Sequence, residues 1–143
     1  MTSLVRKYNV PGPRYTSYPT VPYWDQETFS LKEWKATFKA SFLESNKREG
    51  ISLYIHLPFC ESMCTFCGCT KRITKNHSVE TPYIDAVLKE LALYRSFVGE
   101  RPVLQHVHLG GGTPTFFSET NLARLINGIF KHADKAPQCE MSF

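Results

Sequence analysis

Predicted strands alternate with predicted helices over the C-terminal part of this chain, and this order constrains the fold more than any other feature. Residues 51–57 alternate between apolar and polar side chains, which predicts a half-buried strand that ends at Pro58. Residues 103–109 and 139–143 are predicted as the second and third strands. Strands separated by helices are typical of a parallel sheet with right-handed crossovers, so we expect an α/β fold.

The helices are predicted from their capping residues. Ser30 and Glu33 form a capping box at the start of the first helix, which is expected to end at Gly50. Pro82 lies at the first position of the second helix, and Ser118 caps the third. The predicted order after residue 50 is therefore β-α-β-α-β.

This order predicts the N-terminal part of a parallel, TIM-like (β/α) barrel. Barrels of this kind usually need about 250 residues, so we expect the 143 residues of this chain to be a fragment. We predict an N-terminal arm and helix over residues 1–50 and the first barrel units over residues 51–143. Within the arm, residues 8–25 are rich in proline and tyrosine, which predicts an extended segment.

Composition argues against several partners. The 17 Lys and Arg against 13 Asp and Glu are scattered, so we expect no nucleic-acid partner. Apolar runs are shorter than the roughly 18 residues that span a bilayer, and the first residues do not resemble a signal peptide. We therefore expect a cytoplasmic protein with no membrane partner. In a reducing compartment, its five cysteines are expected to be metal ligands rather than disulfides.

Three of these cysteines are closely spaced in the cysteine loop, which we define as residues 60–69. Cys60, Cys64 and Cys67 follow a C-x3-C-x2-C pattern directly after the first predicted strand. Three thiolates on one loop suit a cluster of four irons, with one iron left open for a small molecule. Buried thiols, or a structural zinc with Cys69 as its fourth ligand, are the alternatives.

A second unusual segment, the glycine loop of residues 110–114, follows the second predicted strand. Gly111 and Gly112 lie in a run of three glycines, which permits close approach of the backbone to a ligand. Ligands of parallel α/β folds bind at the carboxyl ends of the strands, so both loops are expected to form one site. Phe66 either packs within the cysteine loop or offers a plane to an adenine, and the Tyr54 hydroxyl is expected to point toward the site.

These motifs resemble the radical S-adenosylmethionine enzymes, and within them the oxygen-independent coproporphyrinogen III oxidase group. The resemblance depends on four segments, which are residues 13–20, 54–60, 67–69 and 108–115. It covers nearly the whole chain and implies a partial barrel of the radical S-adenosylmethionine type.

The resemblance also implies the cofactors and their ligands. A [4Fe–4S] cluster would be held by Cys60, Cys64 and Cys67, and S-adenosylmethionine would chelate the fourth iron. Cys69 would not be a cluster ligand. The residues implied in binding S-adenosylmethionine, or in stacking on its adenine, are Tyr54, Phe66, Gly111, Gly112 and Thr113.

The implied reaction converts coproporphyrinogen III to protoporphyrinogen IX. A 5′-deoxyadenosyl radical would take a hydrogen atom from a propionate side chain, and loss of an electron and of carbon dioxide would leave a vinyl group. The full-length parent would be an enzyme that acts as a monomer and receives electrons from a one-electron donor, whereas the activity of this fragment alone stays open. The heme chaperones of the same family are the alternative, but they usually lack both Cys69 and the arm motif.

Overall fold

A computed structural model of the protein describes residues 3–9, 23–25 and 27–143. The chain divides into two compact units, Met1–Trp34 and Lys35–Phe143. The first unit contains helix α1 (Leu4–Tyr8), which Ser3 caps by accepting a hydrogen bond from the Arg6 N–H. Most of the arm predicted as extended, residues 10–22, lies outside the described residues.

Helix α2 (Leu31–Arg48) begins at the predicted capping box, where the Ser30 hydroxyl accepts a hydrogen bond from the Glu33 N–H. The elements that follow are β1 (Ile51–Leu57), β2 (Phe59–Cys60), β3 (Arg72–Ile73), α3 (Glu80–Val98), β4 (Val103–Gly111), α4 (Glu119–His132) and β5 (Asp134–Ser142). Short 3-10 turns, His77–Val79 and Pro114–Phe116, precede α3 and α4.

The main sheet confirms the predicted fold class. Its three strands lie in the order β1-β4-β5, and both pairs of neighbours are parallel. Helices α3 and α4 connect them, so the chain forms two successive β-α-β units. In the register between β1 and β4, His56 lies opposite Gly110 and Leu57 opposite Gly111, which brings the carboxyl ends of both strands to the same edge.

The core lies between this sheet and helices α3 and α4. Alternate residues of β1 point into it, and Ile55 and Leu57 are buried as predicted. The other aliphatic residues buried in the same cluster are Ile84, Leu104, Val107, Leu109, Leu125 and Ile129. Because side chains alternate along a strand, the polar residues of β1 lie on the opposite face of the sheet, where they are exposed or half-buried.

Helix α2 is less buried than its apolar spacing indicates, since none of its residues is fully buried. Phe38 packs against Tyr94 and Phe97 of α3, with ring centroids 5.5 and 6.2 Å apart. At the other end of the helix, the Asn46 side chain donates to the Arg101 carbonyl and accepts from the Val103 N–H. The C-terminal turns of α2 are thereby attached to the start of β4.

The third strand begins at Asp134, five residues before the predicted start at Cys139. The register between β4 and β5 shifts between Leu104 and His106, so Pro137 lies in the irregular part of the ladder. A proline is tolerated there because its missing N–H leaves no regular ladder bond unmade. Within the described ranges, no helix is both long and apolar enough to cross a membrane.

Candidate metal centre

The cysteine loop is attached to the rest of the molecule at both of its ends. Strand β2 pairs with β3 in parallel, so that Phe59 lies opposite Arg72 and Cys60 opposite Ile73. The Arg72 N–H donates to the Pro58 carbonyl at 2.7 Å, and the Thr74 N–H donates to the Cys60 carbonyl at 2.9 Å. The chain between them is thus a closed loop with fixed ends.

The thiols of this loop are free and accessible. Cys60 and Cys67 are half-buried, Cys64 and Cys69 are exposed, and none of them is in a disulfide. The Cys67 N–H donates to the Cys64 carbonyl at 3.3 Å, which forms a turn between these two cysteines. Among residues 3–9, 23–25 and 27–143, no three His, Cys, Asp or Glu side chains lie close enough to hold one metal ion. The convergence of Cys60, Cys64 and Cys67 on one centre therefore stays a prediction.

The glycine loop packs directly against the start of the cysteine loop, as expected for loops at adjacent strand ends. The Gly112 N–H donates to the Leu57 carbonyl at 2.7 Å, and the Thr113 N–H donates to the Phe59 carbonyl at 3.0 Å. The Thr113 hydroxyl also donates to the sulfur of Cys60, with an Oγ1–Sγ distance of 3.4 Å. The two loops are therefore in direct contact, and a shared site stays a prediction.

The glycines permit this close approach. At Gly112, a Cβ atom would lie 2.7 Å from the Phe59 carbonyl oxygen and 2.9 Å from that of Leu57, neither of which can move aside. Gly111 has a φ of 110°, which disfavours other residues, and a Cβ atom there would lie 2.6 Å from the His56 ring. Glycine is therefore required by the packing at both positions.

Three polar aromatic side chains lie next to the two loops on the exposed face of the sheet. The Tyr54 hydroxyl lies 3.1 Å from His56 Nδ1, and the Tyr54 ring stacks on His108 with centroids 5.6 Å apart. His56 Nε2 lies 2.6 Å from the Thr70 carbonyl, which can only accept, so Nε2 carries a hydrogen. His56 thus connects β1 with Thr70, the residue directly after the cysteine loop.

Phe66 is the most exposed of the predicted site residues. Its side chain is 100% exposed, so it does not pack within the cysteine loop. An exposed aromatic ring of this kind can stack on a planar ligand. Stacking on an adenine therefore stays the predicted role of Phe66.

A network around Glu80 adjoins the site and was missed in the sequence. Glu80 is only 2% exposed, and it accepts hydrogen bonds from the Ser118 N–H, the Ser118 hydroxyl, the Asn121 amide and His77. Burial alone would raise the pKa of Glu80, but these hydrogen bonds outweigh it and lower the pKa to about 2. The His77-x-x-Glu80 spacing at the start of a helix was the feature of the sequence that could have predicted the contact between these two side chains.

No family model matches the chain. The oxygen-independent coproporphyrinogen III oxidase of Pseudomonas aeruginosa is 34% identical over an alignment of 131 positions, which covers 90% of this chain and 27% of that protein. The protein of the same name from Mannheimia haemolytica is 38% identical over an alignment of 144 positions, which covers 98% of this chain and 91% of that protein.

A solved structure agrees with these relatives. Coproporphyrinogen III oxidase from Escherichia coli, described as a radical SAM enzyme, superposes with a TM-score of 0.71 at 29% identity and covers 89% of this chain and 28% of that one. The chain spans about a quarter of the length of the first curated relatives and most of the length of the Mannheimia protein. It belongs to the oxygen-independent coproporphyrinogen III oxidase family.

Proposed function

We propose that this protein takes part in the oxygen-independent oxidation of coproporphyrinogen III, in which two propionate side chains lose carbon dioxide and become vinyl groups. Family membership supports the general reaction. The observation that carries the proposal is the contact between the two loops, where Gly112 and Thr113 bind the backbone of Leu57 and Phe59 beside Cys60. A thiol-rich loop and a ligand-binding backbone loop thereby share one edge of the sheet.

The donor set of the cysteine loop fits an iron–sulfur cluster. Cys60, Cys64 and Cys67 are free thiols on a closed loop, and thiolates are the usual ligands of such clusters. Three protein ligands leave one iron for S-adenosylmethionine. When bound, the cluster and S-adenosylmethionine would supply the radical chemistry of the reaction, and the chain's residues would hold and orient them.

The remaining residues of the site orient S-adenosylmethionine under this proposal. Gly111 and Gly112 let the ligand approach the backbone, and Thr113 presents its hydroxyl next to Cys60. Tyr54, which is held by His56 and His108, offers a hydroxyl at the same strand end. Phe66 supplies the exposed ring that stacks on adenine.

The proposal includes the context of the reaction. We propose that residues 51–143 form the first β-α-β-α-β units of a radical S-adenosylmethionine barrel and residues 1–50 an N-terminal arm and helix. We further propose that the protein acts in the cytoplasm as a monomer and receives electrons from a separate one-electron donor.

The proposal is tested by product analysis. The chain, reconstituted with iron and sulfide without air, is incubated with a chemical reductant, S-adenosylmethionine and carboxyl-labelled coproporphyrinogen III. Release of labelled carbon dioxide together with 5′-deoxyadenosine supports the proposal. The Cys64→Ser variant is the negative control, and Cys139→Ser is the matched control outside the loop.

Two other outcomes identify the alternatives. Tight binding of heme without release of carbon dioxide would show a heme-binding member of the family. A colourless protein that retains zinc through reconstitution would show a structural zinc module.

A further inference from the structure

His77 lies between two carboxylates that come from different parts of the site. Its Nδ1 is 2.7 Å from Glu80 Oε1, and its Nε2 is 3.6 Å from Glu61 Oε1. Nδ1 is at hydrogen-bond distance from Glu80, whereas the distance from Nε2 to Glu61 is that of an ion pair without a hydrogen bond. Two carboxylates beside one ring favour its charged, imidazolium form. The hydrogen bond to Glu80 raises the pKa of His77 in the same direction, and Glu61 adds to the effect.

Glu80, the buried one of the two carboxylates that contact His77, is held in place by other hydrogen bonds. Glu80 is 2% exposed, and its Oε2 accepts from the Ser118 N–H at 2.9 Å, the Ser118 hydroxyl at 3.0 Å and the Asn121 amide at 2.8 Å. Rotation of the carboxylate would leave these donors without a partner, which is costly for buried groups. Glu80 is thereby attached to the N-terminus of α4.

The face of the His77 ring is fixed as well. It stacks on Phe116, with centroids 4.4 Å apart and an angle of 13° between the ring planes. Phe116 is buried in the 3-10 turn that follows the glycine loop. The ring of His77 is therefore positioned by Glu80 on one side and by the segment after Thr113 on the other.

Glu61, the exposed one of the two carboxylates, belongs to the cysteine loop. Glu61 directly follows Cys60, and its contact with His77 is the one ion pair that the described part of the chain shows for residues 61–69. An exposed pair at 3.6 Å contributes little to overall stability. Because Glu80 and Phe116 already fix the position of the His77 ring, the contact mainly restricts the motion of Glu61 and of the loop that contains it.

We propose that His77 is a positioning residue that holds Glu61, and with it the start of the cysteine loop, against the glycine-loop side of the site. Its role toward the cluster rests on the function proposed above, whereas its role toward the loop does not. Glu61 and Glu80 are the charged groups that face His77 in the described residues.

A double-mutant cycle on the metal-free chain tests this role. The variants are Glu61→Gln, His77→Gln and the double variant, and the readouts are amide hydrogen exchange over residues 61–69 and the midpoint of urea unfolding. Glu49→Gln is the matched control, because Glu49 is similarly exposed and forms an ion pair with Arg48 elsewhere.

We expect Glu61→Gln to speed exchange in the loop by roughly two- to fivefold, the range of an exposed ion pair, with an unchanged midpoint. His77→Gln should speed the same exchange and also lower the midpoint, and the double variant should exchange no faster than His77→Gln. The proposal is overturned if Glu61→Gln leaves the loop unchanged, or if its effect persists in full when His77 is absent.

A second measurement keeps the test valid where His77→Gln fails to fold. The pKa of His77, followed by NMR of its ring protons, should fall in Glu61→Gln and stay unchanged in Glu49→Gln. An unchanged His77 pKa in Glu61→Gln would show that the pair does not form and would overturn the proposal.

The link to the cluster has its own readout. After reconstitution with iron and sulfide, iron should pass to a chelator faster from Glu61→Gln than from Glu49→Gln, and equal rates would refute that link. A chain that assembles no cluster at all would refute the proposed function, while the loop measurements on the metal-free chain would stand.

Discussion

The Thr113 hydroxyl donates a hydrogen bond to the sulfur of Cys60, which joins the glycine loop to the first predicted cluster ligand. The Thr113 N–H donates to the Phe59 carbonyl in the same contact, so both the backbone and the side chain of Thr113 meet the start of the cysteine loop. A donor at a thiolate sulfur stabilises the more negative, reduced form of a bound cluster.

Thr113→Val is therefore predicted to lower the reduction potential of the reconstituted cluster. A bond of roughly 1 kcal/mol corresponds to about 40 mV for one electron. The shift is measured by redox titration, with Thr115→Val as the control two residues further along. An unchanged potential in Thr113→Val would show that the hydroxyl does not reach the sulfur in the loaded protein.

Gly112→Ala is predicted to destabilise the fold by about 1–3 kcal/mol and to separate the two loops. The added Cβ would lie 2.7 Å from the Phe59 carbonyl oxygen, and overpacking against fixed backbone has a cost of this size. Urea unfolding gives the stability change, and hydrogen exchange over residues 61–69 reports on the loop.

Gly99→Ala is the control for this substitution. Gly99 has a φ of 83°, so alanine should destabilise the protein by about 1 kcal/mol, but a Cβ atom added there would meet no other atom within 4 Å. Exchange in the cysteine loop should therefore stay unchanged in Gly99→Ala. Equal loop exchange in both glycine variants would contradict the packing argument.

The ionised Glu80 carboxylate is predicted to stabilise the folded protein at neutral pH and to lose this effect in acid. Its pKa falls from an ordinary 4.5 to about 2 in the folded state, so its contribution is fully present above about pH 4.5 and is lost as the pH falls through about 2. Glu80→Gln should lower the free energy of unfolding by about 2 kcal/mol at neutral pH, because charge-assisted hydrogen bonds are lost. The difference from the natural protein should shrink between pH 4.5 and 2, and a difference independent of pH would contradict the assignment.

His77 is predicted to have the opposite pH dependence. Its pKa is raised above the ordinary 6.5, chiefly by the hydrogen bond to Glu80, so its stabilising contribution is fully present below pH 6.5 and is lost as the pH rises through its folded pKa. The unfolding midpoint of the natural protein should exceed that of His77→Gln more at about pH 6 than at about pH 9. A larger difference at the higher pH would reverse the sign and refute the assignment.

The parts of the fold that the sequence predicted correctly have a strong local signal. Strict alternation from Ile51 to Leu57 identified both faces of β1, and the hydroxyls of Ser30 and Ser118 marked where α2 and α4 begin. The expectation that both loops lie at the carboxyl ends of parallel strands followed from the rules for parallel α/β folds. The contact between the two loops could therefore be predicted without knowledge of side-chain packing.

The parts that were missed depend on contacts between distant residues or on very short elements. The pairing of β2 with β3 covers two residues on each side, which is too short for a periodic pattern. Pro137 concealed the first half of β5, because a proline usually argues against a strand. The contact of Glu80 with Ser118 joins residues 38 positions apart, so no local pattern reports it.

Under the proposed function, Cys60, Cys64 and Cys67 hold a four-iron cluster whose open iron binds S-adenosylmethionine. Electron paramagnetic resonance of the reduced, reconstituted chain, recorded with and without S-adenosylmethionine, tests this assignment. We predict a cluster signal that changes when S-adenosylmethionine is added, that disappears in a serine variant of any of the three cysteines, and that persists in Cys69→Ser. Absence of a cluster signal, or a signal that S-adenosylmethionine leaves unchanged, would contradict the claim.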